Sequence, residues 1–174
     1  MNISTEIPEF GIKKDNEERR DGGCAVVFDP VTQRYAIGEE NEGGLFRLFS
    51  GGVDSNEDME TGVLREVVEE SGLHNFLHVE NIAQAFTHYH NNLRNVDRVA
   101  LATCFLVILK DTEVVQTQLE EHEKFTLVWA SSAEILTNWL DRNKNYDYDH
   151  WIYFMKKSVL RAKELGYDTG SILE

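Results

Sequence analysis

A mixed β-sheet flanked by helices, an α/β fold, is what the order of segments in this 174-residue chain predicts. Three observations carry that prediction. Short β-branched and apolar runs, such as 24–29 and 99–109, are bounded by turn residues as buried strands are. Three longer segments place apolar residues at helical spacing. The two kinds interleave without strict βαβ alternation, which favours a mixed sheet over a doubly wound parallel one. The length suits one domain with a hydrophobic core, and 41% apolar with 28% charged residues is the composition of a globular chain.

Residues 1–21 are polar and read as a flexible or partly ordered lead-in, in which the stretch EFGIK can add a strand; 22–174 read as a single domain. The run 24–29 is a strand, 30–33 a turn, and 34–38 the returning strand. EENEGG makes a loop, and LFRLF is a short strand that delivers the chain to Ser50, Gly51 and Gly52. A helix follows, with Asp58 or Asn56 to cap its start and Gly72 to end it in a left-handed conformation. At about 100° per residue, Glu69 and Glu70 fall within about 60° of Glu66, while Leu64, Val67 and Val68 lie opposite. One face is therefore carboxylate and the other is core. Gly62, in the middle of this helix, costs roughly 1 kcal/mol against alanine, which predicts close packing under a neighbouring loop.

Further strands are expected over 77–86 and 98–109, separated by the polar loop THYHNNLRNVD, and over 125–129. Ser131 or Ser132 caps the next helix, whose apolar side is Ile135, Leu136, Trp139 and Leu140. The last helix starts near Asp149, carries Ile152, Met155, Val159 and Ala162 inward, and can stop at Gly166.

Asp and Glu number 31 against 17 Lys and Arg, a formal charge of -14, which repels polyanions. Nucleic-acid polymers and anionic membranes are thereby poor partners, and a small anionic ligand needs a cation or a local basic cluster to receive it. No apolar run approaches the roughly 20 residues of a membrane span. Cys24 and Cys104 have no metal-ligand spacing, so a reducing, cytoplasmic setting is expected.

Carboxylates at i, i+3 and i+4 without a neighbouring lysine repel one another. An oxygen-rich patch of this kind suits a hard cation, Mg²⁺ or Mn²⁺, which turns the repulsion of Glu66, Glu69 and Glu70 into binding energy. His88 and His90 alternate along a strand but lack a third ligand, so they read as ordinary polar residues. In the following loop, Tyr89 can stack on a base, and Arg94 or Arg98 can reach a phosphate.

The segment 51–73 resembles the Nudix box, the signature of the Nudix hydrolases. Gly51, Glu57, Arg65, Glu66, Val67, Glu69, Glu70, Gly72 and Leu73 fill each of its specified places. Two departures precede the helix: Ser50 stands where a proline is common, and Asp54, Ser55, Asn56 and Glu57 replace the common Glu-x-Gly-Glu. The resemblance implies an α/β/α sandwich and divalent-metal-dependent hydrolysis of a nucleoside diphosphate linked to another group. A nucleoside triphosphate or a dinucleoside polyphosphate is included in that class.

Carried over residue by residue, the resemblance makes Glu66, Glu69 and Glu70 metal-facing, with the carbonyl of Gly51 or Gly52 a further ligand, and pairs Glu57 with Arg65. Glu66 is the first choice as general base, and Glu120, Glu121 and Glu123 are candidates from a later loop. Both prolines, Pro8 and Pro30, precede the box, so the downstream proline associated with ADP-ribose hydrolases is absent. Tyr89 lies at a spacing resembling that of diadenosine polyphosphate hydrolases. The resemblance also implies a homodimer as a partner state. From a different class, a Nudix-fold sensor would bind a nucleotide without turnover, and a metal-stabilised structural domain would respond to metal but not to nucleotide.

Overall fold

Alternation along the strand Gly22–Asp29 decides the layering. Cys24, Val26 and Phe28 enter one hydrophobic cluster, while Ala25 and Val27 enter another on the opposite face. The computed structural model describes residues 6–170. In chain order these form β1 (Glu9–Phe10), β2 (Glu18–Arg19), β3 (Gly22–Asp29), β4 (Arg34–Glu40), β5 (Phe46–Arg47) and β6 (Phe49–Gly52). They continue with α1 (Met59–Ser71), β7 (Phe76–Asn91), β8 (Val96–Leu109), β9 (Phe125–Ala130), α2 (Ser132–Arg142) and α3 (Asp149–Glu164).

The strands make one mixed sheet with the neighbour order β1-β7-β8-β3-β4-β5. Strand β3 is parallel to β8 and antiparallel to β4. Helix α1 covers one face, where Val63 and Val67 meet Ala25, Val27, Phe105 and Val107. Helices α2 and α3 cover the other, where Trp139, Phe154 and Met155 meet Cys24, Val26, Leu106 and Ile108. The expected α/β/α sandwich with a mixed sheet is the observed one. Each fully buried aliphatic side chain contributes about 1.5–3 kcal/mol relative to exposure. The buried Trp139 also donates its Nε1–H to the Phe46 carbonyl at 2.8 Å.

The fork of β3 positions the site. Its last residues, Val27 to Asp29, pair with β4, but Gly22 to Ala25 pair with β6. A cleft opens at that fork, beside Gly51 and Gly52. LFRLF is accordingly two strands rather than one: β5 pairs with β4, β6 pairs with β3, and the intervening Leu48 is buried in the cluster under α2 and α3.

The β7–β8 hairpin is longer than the sequence suggests. Thr87 to Asn91, expected in a loop, are strand, and only 92–95 turn. Cross-strand pairing continues through His88↔Val99, Tyr89↔Arg98 and His90↔Asp97. A His90–Asp97 contact at 2.9 Å and a Lys14–Asp97 ion pair at 2.7 Å hold the strand ends together, and Asn95 takes the positive φ, 52°, that closes the turn. His88 is not an ordinary surface polar group: it is buried, with Nε2 2.6 Å from Glu9 and Nδ1 2.9 Å from Glu17.

The lead-in expected over 1–21 begins outside the described residues. Its described part supplies β1, inside EFGIK, which pairs with β7, and β2, which pairs with β8. Among the described residues no helix is long and apolar enough to cross a membrane. Caps fall on Asp58, whose Oδ1 accepts from Thr61 N–H at 2.9 Å, and on Ser131, which forms a reciprocal capping box with Glu134. Gly72, at φ 79°, ends α1 by donating to the Val68 carbonyl.

Candidate active site

Helix α1 turns Val63 and Val67 into the core, and the same turns present Glu66 and Glu70 to β6. Glu70 is 7% exposed, and its Oε2 accepts the Ser50 N–H at 2.9 Å. A Cβ at Gly51 would run into the Glu66 carboxyl, so glycine there is what lets the β6 backbone meet this side chain.

The repulsion read from the sequence has a cation to oppose it. Arg65 Nη1 donates to Glu66 Oε1 at 3.0 Å and to Glu69 Oε2 at 2.9 Å. Its Nε and Nη2 donate to the two oxygens of Glu57 at 2.9 and 3.2 Å, and Nη2 also reaches the Gly52 carbonyl at 3.2 Å. Glu57 Oε2 accepts from Asp54 N–H at 3.0 Å, which folds the loop 53–57 onto the helix. Gly62 makes room for that loop, since a Cβ there would stand 2.9 Å from Glu57 Oε2. One planar guanidinium thus ties loop, strand and helix together, which a point-charge lysine could not do.

Burial pushes the Glu70 carboxyl up to about 8, and the charges of Glu123 and Glu66 add to it against the Ser50 hydrogen bond. Burial raises Glu66 as well, opposed by Arg65 and reinforced by Glu69 and Glu123. Hydrogen bonding to Arg65 holds Glu57 below the usual carboxylate range. The site therefore contains acids forced together in low dielectric beside one that is fully satisfied.

These residues form one wall of a cleft of about 1020 Å³. Gly51, Gly52, Glu66 and Glu70 line it; Glu69, held by Arg65, does not. The loop after β8 crosses the end of α1, where Gln118 N–H donates to the Glu69 carbonyl at 2.7 Å, and brings Glu120, His122 and Glu123 to the cleft. Among the described residues these three bring one ligand atom each within 4.8 Å of one another. Glu121 does not line the cleft, whereas Glu123 lies close enough to act on both Glu66 and Glu70.

Tyr89 and Arg98 also line it, Tyr89 on β7 and 42% exposed, Arg98 opposite it on β8 and 5% exposed. Arg94 does not: it sits in the 92–95 turn, where its N–H donates to Asn91 Oδ1 at 3.0 Å. Other cleft residues have no sequence signal of their own. Arg20 arrives through the β2–β8 pairing. Tyr146, Tyr148, His150 and Trp151 arrive where the chain enters α3, through consecutive positive φ values at Asn145 and Tyr146. Tyr148 and Trp151 stack with centroids 5.6 Å apart. Burial pushes the His150 imidazole down to about 4, so it is neutral near pH 7.

An α/β/α sandwich with a glutamate-bearing helix pressed against a glycine pair at a forked strand is the frame in which the family match places the chain in a class: hydrolases of phosphoric anhydride bonds. The NUDIX domain model matches residues 19–152, and the chain belongs to that family. Three similar solved structures share the fold. A Caenorhabditis elegans Ap4A hydrolase in a binary complex is 16% identical with a TM-score of 0.60, over 84% of this chain and 98% of that one. The NUDIX domain of Shewanella oneidensis NrtR, complexed with ADP ribose, is 16% identical with a TM-score of 0.57, over 80% and 88%. The Escherichia coli dihydroneopterin triphosphate pyrophosphohydrolase is 14% identical with a TM-score of 0.58, over 84% and 99%. No curated protein matches the chain significantly.

Proposed function

We propose that the chain is a divalent-metal-dependent nucleotide pyrophosphohydrolase that cleaves a nucleoside diphosphate linked to another group, giving a nucleoside monophosphate and the phosphorylated remainder. The observation that carries this reading is the pair Glu66 and Glu70, both raised by burial in the wall of a cleft large enough for a nucleotide. Glu66, Glu69, Glu70 and the Gly51 and Gly52 carbonyls offer oxygen donors, and Gly51 leaves the Glu66 carboxyl room, which fits a hard cation, Mg²⁺ or Mn²⁺. Glu66, Glu69 and Glu70 would hold it with the Gly51 or Gly52 carbonyl. When bound, such an ion neutralises the phosphates and lowers the pKa of water.

The chain's own groups do the rest. Glu66 accepts the proton of the attacking water, with Glu123 as the second candidate, since both lie at the same wall. Glu57 keeps Arg65 in place, and Arg65 sets the side chains of Glu66 and Glu69. On the substrate side, Arg98 meets phosphate, and Tyr89 or the Tyr148–Trp151 stack offers a planar surface to the base. Arg94 can contribute only if the hairpin turn folds over the cleft. The ADP ribose and Ap4A named with two fold neighbours are both nucleotide derivatives, which supports the substrate class. A cytoplasmic setting, a homodimer, and 22–174 as the catalytic domain belong to the same proposal.

The test is product identification on a nucleotide panel with and without Mg²⁺, alongside Glu66→Gln, Glu69→Gln and Glu70→Gln. Metal-dependent cleavage that all three substitutions abolish is expected. Wild-type turnover in all three variants refutes the mechanism, and tight nucleotide binding without turnover makes the chain a sensor instead.

A further inference from the structure

With 31 acids and 17 bases, a guanidinium whose N–H donors find no acceptor is not explained by a shortage of carboxylates in this chain. Two such groups nevertheless line the same cleft. Arg98 is 5% exposed, and its Nε and Nη2 are buried without a hydrogen-bond partner. Its ion-pair partner Glu18 has Oε1 3.5 Å from Nη2, without a hydrogen bond, and its side chain is 55% exposed. A buried charge in that condition is unfavourable unless something supplies the missing acceptors. Arg20 makes no side-chain hydrogen bond or ion pair among the described residues. Its Nη2 lies over Gly52, 3.2 Å from where a Cβ would stand.

Strand register brings the two together. The parallel pairing Glu18↔Arg98, followed by Arg20 N–H donating to the Val99 carbonyl at 2.9 Å, puts Glu18, Arg20 and Arg98 on one face. Gly52 then stands between Arg20 and Arg65, because its carbonyl accepts from Arg65 Nη2. Along the cleft, the order is the carboxylates of α1, the Gly51–Gly52 backbone, and the two arginines.

We propose that Arg20 and Arg98 form an anion subsite that receives a phosphoryl group beyond the one attacked at α1. Guanidinium forks match phosphoryl oxygens, and two of them on one face can hold a dianion. The substrate class is then a nucleoside carrying a longer phosphate chain, a triphosphate or a bridged polyphosphate, in preference to a nucleoside diphosphate joined to a neutral sugar. This deepens the hydrolase reading above and rests on it for the reaction, although not for the binding.

The binding arm uses inorganic tripolyphosphate titrated by calorimetry into the full chain in chelator. Arg20→Ala and Arg98→Met are each expected to weaken binding at least tenfold, and Glu18→Gln, which removes the nearest competing carboxylate, to tighten it. Unchanged affinity in Arg20→Ala overturns the subsite, and so does a Glu18→Gln variant that melts lower but binds the anion equally; Arg20 is exposed, so its variant decides even if Arg98→Met fails to fold. In the turnover arm, with Mg²⁺, the ratio of kcat/KM for a nucleoside triphosphate to that for ADP ribose is expected to fall at least tenfold in Arg20→Ala. A constant ratio overturns the assigned substrate class. No cleavage of either compound sinks the hydrolase reading, and the binding arm still decides the subsite.

Discussion

Glu70→Gln should make the metal-free protein more stable and the enzyme inactive. The amide has the shape of the carboxyl, and its oxygen can still accept the Ser50 N–H. In the wild type the buried acid titrates near 8 rather than the usual 4.5. Between those values the folded state holds a proton that the unfolded state has released, so stability falls as pH rises through the window, by about 1.4 kcal/mol per pH unit. Below about pH 4.5 that stability is fully present, and above about 8 its loss is complete. At pH 7 the loss is on the order of 3 kcal/mol, or roughly 6–12 °C in Tm for a chain of this size. Thermal melts in chelator from about pH 5 to 9 should show the variant melting higher, with a gap that widens to about pH 8. Mg²⁺ should raise the wild type far more than the variant. Turnover should drop about 100-fold or more, since a lost ion contact is worth several kcal/mol in the transition state. A wild-type Tm that ignores pH over this range, or a variant that melts lower, refutes the reasoning.

Arg65→Lys keeps the charge but cannot span Glu57, Glu66, Glu69 and the Gly52 carbonyl; kcat should fall about 10–100-fold with the fold intact by circular dichroism. Gly51→Ala drives a methyl into the Glu66 carboxyl, so Mg²⁺ affinity measured by titration should weaken while the core stays folded. The His150 imidazole, held near 4, favours the folded state above its unfolded pKa of 6.5, and that stability is lost as pH falls through about 4. His150→Phe should flatten this acid limb of the Tm profile.

The Nudix box was legible because its positions are local. Helix spacing alone puts Glu66 and Glu70 about 40° apart, but it also puts Val63 about 20° from Glu70, so Glu70 shares the buried stripe with Val63 and Val67 instead of lying opposite it; Asp58 and Gly72 cap the ends by backbone rules that need no tertiary partner. What escaped depends on register. Arg20 enters the cleft only because β2 pairs in parallel with β8, a contact that no periodicity announces. Thr87 to Asn91 are polar enough to pass for a loop, yet cross-strand partners and the Glu9–His88–Glu17 contacts make them strand. Tyr146, Tyr148 and Trp151 carry no sequence signal of their own; they line the cleft where two residues of positive φ, Asn145 and Tyr146, precede α3.

Arg65 also changes how the acidic face has to be understood. The sequence shows glutamates with no lysine to balance them, but Arg65 Nη1 already bridges Glu66 and Glu69. An incoming cation that takes those oxygens takes them from Arg65. The guanidinium does not thereby lose its place, because Nε and Nη2 keep Glu57 and the Gly52 carbonyl. Glu70 has no such substitute: its one hydrogen bond comes from the neutral Ser50 N–H, and burial holds its proton on. On the proposed reading, ion binding at this face would divide into an exchange of cations at Glu66 and Glu69 and a proton release at Glu70. Glu66, also raised by burial, adds to the pH dependence, and Glu70 extends it furthest, so metal affinity should rise up to about pH 8 and then level. In Glu70→Gln the rise should be shallower and level at lower pH, while a weaker affinity carried by Glu66 and Glu69 persists; an equally steep rise to about pH 8 in the variant would move the titrating group elsewhere.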